Sequence, residues 1–78
     1  DGTQVELFSF PAPPKRASYP EACGLRPLAF RVEDIGAAVR HLEGMGVAAE
    51  PVRVDEHTGK RFTFVPDPDG LPLELYER

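Results

Sequence analysis

Phe64-Val65-Pro66-Asp67-Pro68-Asp69-Gly70-Leu71-Pro72-Leu73-Glu74-Leu75 reads as a strand end, a tight turn and a further strand. In Asp67-Pro68-Asp69-Gly70, proline presets one central backbone angle and glycine supplies a positive φ. Side chains alternate along a strand, so Leu71, Leu73 and Leu75 share one face. Pro72, Glu74 and Tyr76 share the other. Glu74 therefore stands in the middle of an apolar run. Val5-Glu6-Leu7-Phe8 repeats that arrangement near the start of the chain. A carboxylate taken out of water without a partner loses roughly several kcal/mol of solvation, or takes up a proton. A cation is one way to keep it charged. Two such glutamates raise the question of a shared metal site.

Upstream of the turn, Arg61 to Val65 read as a strand with Phe62 and Phe64 on one face. Asp55 to Lys60 form a turn. Val47 to Val54 read as a weaker strand, and Pro51 inside it marks an edge. Before that comes a helix. Asp34 is its expected N-cap, because its carboxylate can accept from free N–H groups of the first turn. Ile35, Ala38, Val39, Leu42 and Met45 recur at helical spacing as one apolar stripe. Gly44 and Gly46 offer the stop. Residues 26–32 read as another strand, with Leu28, Phe30 and Val32 on one face and Pro27, Ala29 and Arg31 on the other. Met45, Phe62 and Phe64 are expected in the core.

Residues 11–24 carry Pro11, Pro13, Pro14 and Pro20, an extended linker with few backbone hydrogen bonds. Residues 5–10 read as a strand, apolar enough on both faces to be covered on both. The expected order is one strand, a linker, then βαβββ. This is an α+β fold with one helix packed on one face of a sheet. The face away from the helix carries Glu6, Phe8, Phe10, Ala29, Glu74 and Tyr76. It is too apolar for water and too polar for a plain core, so it reads as a cavity wall closed by something outside this unit.

The chain has 78 residues, which limits it to one small domain with a marginal core. Hydrophobic residues at 41% and charged residues at 28% are a globular composition. The net charge of -4, with no basic run, argues against a nucleic-acid partner. Cys23 is the single cysteine, so no internal disulfide forms, which favours a reducing cytoplasm. With no His or Asp near it in sequence, Cys23 reads as inert. No apolar run approaches the roughly 18 residues of a membrane span.

Three phrases carry a family resemblance. They are Gly24-Leu25-Arg26-Pro27-Leu28-Ala29-Phe30 before the helix, the Phe64-to-Leu75 ending, and Val5-Glu6-Leu7-Phe8-Ser9-Phe10-Pro11. Together with the βαβββ order, they resemble the vicinal oxygen chelate superfamily (glyoxalases, bleomycin resistance proteins and dioxygenases), and within it the glyoxalase I-like branch. The resemblance implies that residues 1–10 are the last strand of a first module, 11–24 a linker, and 25–78 a second βαβββ module, a mixed, curved sheet with one helix on its convex face. Two such modules cup one divalent metal, each contributing two ligands. Carried over, Glu6 and Glu74 are metal ligands, and Glu74 is also the proton-transfer base. Oxygen and imidazole ligands suit Ni, Zn, Co, Mn or Fe. Pro27 departs from the pattern, since a histidine usually stands there and proline has no side-chain donor. His41, on a solvated helix face, and His57, in a turn, do not obviously replace it.

The function implied is that of a metal-dependent lyase or isomerase acting on a small carbonyl compound or hemithioacetal. The alternatives are a metal-free small-molecule binding module, as in bleomycin resistance proteins, or a fragment without activity. The partners implied are a small-molecule substrate and either a second copy of the chain or a missing first module.

Overall fold

The computed structural model describes residues 1–17, 23 and 27–78. Among these, four strands and one helix follow in the order β1 (Ala29–Val32), α1 (Ile35–Gly44), β2 (Arg53–Val54), β3 (Arg61–Pro66) and β4 (Pro72–Glu77). They form one mixed sheet in the order β1-β4-β3-β2. β1 runs parallel to β4, with Ala29 opposite Glu74 and Arg31 opposite Tyr76. β3 runs antiparallel to β4, setting Phe62 opposite Tyr76 and Phe64 opposite Glu74. The fold is α+β, a single glyoxalase-like βαβββ module.

α1 begins where the sequence places it. The Asp34 side chain accepts from Ala37 N–H at 3.1 Å. A second carboxylate reaches the same helix end from the sheet, as Glu77 accepts from Ile35 N–H at 3.0 Å. Both acceptors satisfy donors that have no partner within the helix. The apolar stripe then packs on one sheet face. Ile35, Val65 and Leu75 are the buried centre, with Val32, Ala38, Val39, Leu42 and Leu73 around it. Thr63 is fully buried among them, and its hydroxyl donates to Glu50 C=O at 2.7 Å.

Four expectations are corrected. Residues 5–10 form no strand and pair with none among the described residues; Leu7, Phe8 and Phe10 stand 87%, 73% and 66% exposed. Alternation can mark a strand, but a strand exists only where a neighbour takes up its backbone bonds. The strand expected over 47–54 shrinks to Arg53–Val54, since Pro51 offers no N–H and ahead of it Glu50 N–H makes one isolated bond to Phe64 C=O. Met45 is 67% exposed, because it caps α1 instead of continuing its stripe. Phe62 and Phe64 lie on the face away from the helix, where the register sets them beside Tyr76 and Glu74.

Pro27 lies just ahead of edge strand β1, where a missing N–H breaks no ladder. In the linker, residues 11–17 and Cys23 are irregular, and Cys23 is exposed. The rest of the linker, with Pro20 and Gly24, and Leu25 and Arg26 of the first-strand phrase, lies outside the described residues.

Candidate functional site

The open sheet face is built by alternation along β3 and β4. Val65 and Leu75 point to the helix, so Phe62, Phe64, Glu74 and Tyr76 point away from it. The Phe62 and Tyr76 rings stack, with centroids 6.3 Å apart and planes 16° apart. Phe64 meets Phe62 edge-on at 6.0 Å and 87°. The guanidinium of Arg53 lies 5.8 Å from the Phe64 centroid and pairs with Glu50 at 2.7 Å.

Glu74 opens into a hollow of about 400 Å³, lined also by Val54, Asp55, Glu56, His57, Phe62 and Tyr76. One phenol holds this hollow together. Tyr76 Oη donates to Asp55 Oδ2 at 2.8 Å and bonds Thr58 Oγ1 at 2.5 Å. Both partners belong to the β2–β3 turn, so the turn is tied to the strand that bears Glu74. Asp55 also accepts from His57 N–H at 2.8 Å, which shapes the turn around the imidazole-bearing residue.

These bonds tune the groups that make them. The His57 N–H first, then the Tyr76 hydroxyl, hold the Asp55 carboxyl below its usual range. For Tyr76, the Thr58 bond favours the phenolate. Donation to Asp55, desolvation and the Asp55 and Glu74 charges outweigh it and raise the phenol above its ordinary value. Tyr76 is therefore a neutral hydroxyl at physiological pH.

The residues singled out from sequence fall into different places. Glu74 and Tyr76 share the hollow. Ala29 lines another cleft, of about 680 Å³, with Asp1, Thr3, Val5 and Arg31. Phe8 and Phe10 line a third, of about 540 Å³, beside Pro13, Pro14, Pro68 and Asp69. Glu6 is exposed and is not among the residues lining the Glu74 hollow. No burial at Glu6 therefore demands a counter-cation.

Among the described residues, no group of three or more His, Cys, Asp or Glu side chains is placed to hold a metal ion. The donor set therefore does not fit a transition metal by itself. Sequence reasoning missed Phe62, Phe64 and His57 as site residues. Phe62 and Phe64 share the alternation of Glu74 and Tyr76, but which face of β3 meets which face of β4 depends on register. The signal for His57 was its place in a turn next to an edge strand.

The sheet, its single helix and a carboxylate on the open face define a glyoxalase-type module. The sequence profile of the Glyoxalase/Bleomycin resistance protein/Dioxygenase superfamily matches residues 1–75, and the chain belongs to that superfamily. It is 69% identical over 74 residues to "Uncharacterized protein YaeR" of Escherichia coli, covering 95% of this chain and 57% of that protein. It is 60% identical over 74 residues to "Uncharacterized protein YwkD" of Bacillus subtilis, covering 95% and 58%. The crystal structure of the glyoxalase family protein from Enterococcus faecalis superposes with a TM-score of 0.77 at 59% identity, covering 82% of this chain and 51% of that one. The chain thus spans less than two thirds of the length of these relatives. No described helix is long and apolar enough to cross a membrane.

Proposed function

We propose that this chain is the Glu74-bearing half of a cup that takes a small carbonyl compound, with Glu74 as proton-transfer base. The observation that carries the reading is the placement of Glu74 in an aromatic-walled hollow on the open face. There the carboxylate takes a proton from the hydroxyl-bearing carbon beside a carbonyl and returns it to the former carbonyl carbon, while the hydroxyl proton passes from the first oxygen to the second. The phenyl rings exclude water from that exchange, and the tied turn keeps the wall in place.

Completion of the cup comes from a second module, either on the same polypeptide or from a second copy of the chain. Any divalent metal at Glu74 would draw its remaining ligands from that module. A cytoplasmic setting suits the single free thiol.

The test is turnover of methylglyoxal offered as hemithioacetals of glutathione and of uncharged mercaptoethanol, in solvent D2O, with and without added divalent metal. Turnover to the hydroxy thioester with the substrate hydrogen retained in the product, lost in Glu74→Gln with the fold kept, is the expected result. A Glu74→Gln variant as active as the parent, or no turnover under any metal, overturns the reading.

One observation favours a second reading, a metal-free binding module: no ligand cluster occurs among the described residues, and proline stands at position 27. Thermal stabilisation by ligand that survives a chelator, without any turnover, selects it.

A further inference from the structure

We infer that the ligand of the Glu74 hollow has a flat, uncharged aromatic body stacked on the Phe62–Tyr76 pair and a hydroxyl that donates to Glu74. This names the ligand class for the site proposed above and rests on that reading.

The rings come first. Phe62 and Tyr76 lie nearly parallel, 16° apart and stacked on each other, so a third ring can extend the stack on an outer face. Phe64 stands directly across the ladder from Glu74, so the carboxylate is flanked by aromatic surface. Ring on ring is favoured in offset-stacked geometry beyond the area it buries. A short aliphatic ligand would reach the carboxylate but leave the ring faces to water.

The Tyr76 hydroxyl is already committed. It has one proton to give, and Asp55 takes it at 2.8 Å, while Thr58 occupies an acceptor site. Held at two points on the turn, the ring cannot swing aside, and what it presents is a face with no free donor. Hydrogen bonding to the ligand then falls to Glu74, which as a carboxylate only accepts. The ligand must supply the donor.

Charge decides the rest. Among the described residues, the lining carries Asp55, Glu56 and Glu74 with His57, and no Lys or Arg. The nearby Arg53 is engaged by Glu50 and sits over Phe64. An anion entering this hollow meets three carboxylates, and the guanidinium on the neighbouring strand, Arg31, lines the adjoining cleft with Glu33 instead.

Three probes test the inference by chemical-shift titration of the chain: 2-hydroxyacetophenone (ring, neutral), hydroxyacetone (same donor, no ring) and mandelate (ring, anionic). The expected affinity for 2-hydroxyacetophenone is roughly three- to tenfold above that for hydroxyacetone, the range that one aromatic pair supplies. Mandelate should bind more weakly than 2-hydroxyacetophenone, and Phe62→Leu should bring the ratio of the two neutral affinities toward one. Equal affinities for the ringed and ringless probes overturn the inference, as does mandelate binding as well as its neutral counterpart. If hydroxyacetone binds and Glu74→Gln releases it, while the ring adds nothing, only the ligand class fails. If neither neutral probe binds, the reading of the hollow fails too. Sedimentation at rising concentration checks the other occupant: self-association that buries the Phe62 and Tyr76 signals and blocks all three probes assigns the face to a second copy and overturns the ligand.

Discussion

At the scale of single residues, Glu77 binds more than its surface position would imply. Its carboxylate takes Arg61 on both oxygens, at 3.1 and 2.7 Å, and also caps Ile35 N–H. The Arg61 bond first, then the Ile35 N–H, hold its pKa below the ordinary 4.5. A native value below the unfolded one stabilises the fold above the ordinary carboxylate range, and the contribution is lost as pH falls through the native value. Glu77→Gln should therefore lower Tm at neutral pH. The gap to the parent should close as pH falls below roughly 4, where the unfolded carboxyl is already protonated. Thermal melts from neutral to acid pH check this, and a gap that stays constant would refute the linkage.

Position 27 shows another residue-scale limit. Sequence shows at once that proline carries no ligand atom, whatever the surrounding fold. The faces of Phe62 and Phe64 were not legible in that way. Alternation put them on one face of their own strand, and only their pairing with Tyr76 and Glu74 identified it as the open one.

At the scale of elements, α1 was the most legible feature, because its signals are local. Asp34, the stripe from Ile35 to Leu42 and the glycines at 44 and 46 lie within one stretch of chain. Asp34→Ala removes the acceptor for Ala37 N–H and should cost about 1 kcal/mol, the usual worth of such a cap. Urea denaturation measures it, and Asp34→Asn should recover most of the loss. The segment 5–10 shows the opposite case. Its alternation resembles that of β4, but β4 has a neighbour on each side and the segment has none among the described residues. Glu50 and Pro51 likewise end the expected third strand early, since one backbone bond to Phe64 does not make a ladder.

At the scale of the whole molecule, little is deeply buried. Ile35, Val65 and Leu75 form the buried apolar centre, and Ile35 is fully enclosed. Truncating an enclosed side chain of this size typically costs about 2–5 kcal/mol. A domain of this length holds about 4–12 kcal/mol in all. Ile35→Ala should therefore remove a large share of the chain's stability, while Ile35→Val should cost about 1 kcal/mol. Near-ultraviolet circular dichroism and urea midpoints separate the two. An Ile35→Ala variant with the parent's midpoint would mean that the core is held elsewhere.

The amino-acid order alone determined the helix and its cap, the Asp67–Gly70 turn, the βαβββ sequence of elements and the loss of a donor at position 27. Each depends on neighbours a few residues apart, and their preferences act before the chain is packed. The tertiary structure decided which strands exist as strands, that Glu74 meets Phe62, Tyr76 and His57 in one hollow, and that Glu6 lies outside it. Those outcomes depend on backbone bonds and register between segments far apart in the chain, which no local pattern of residues specifies.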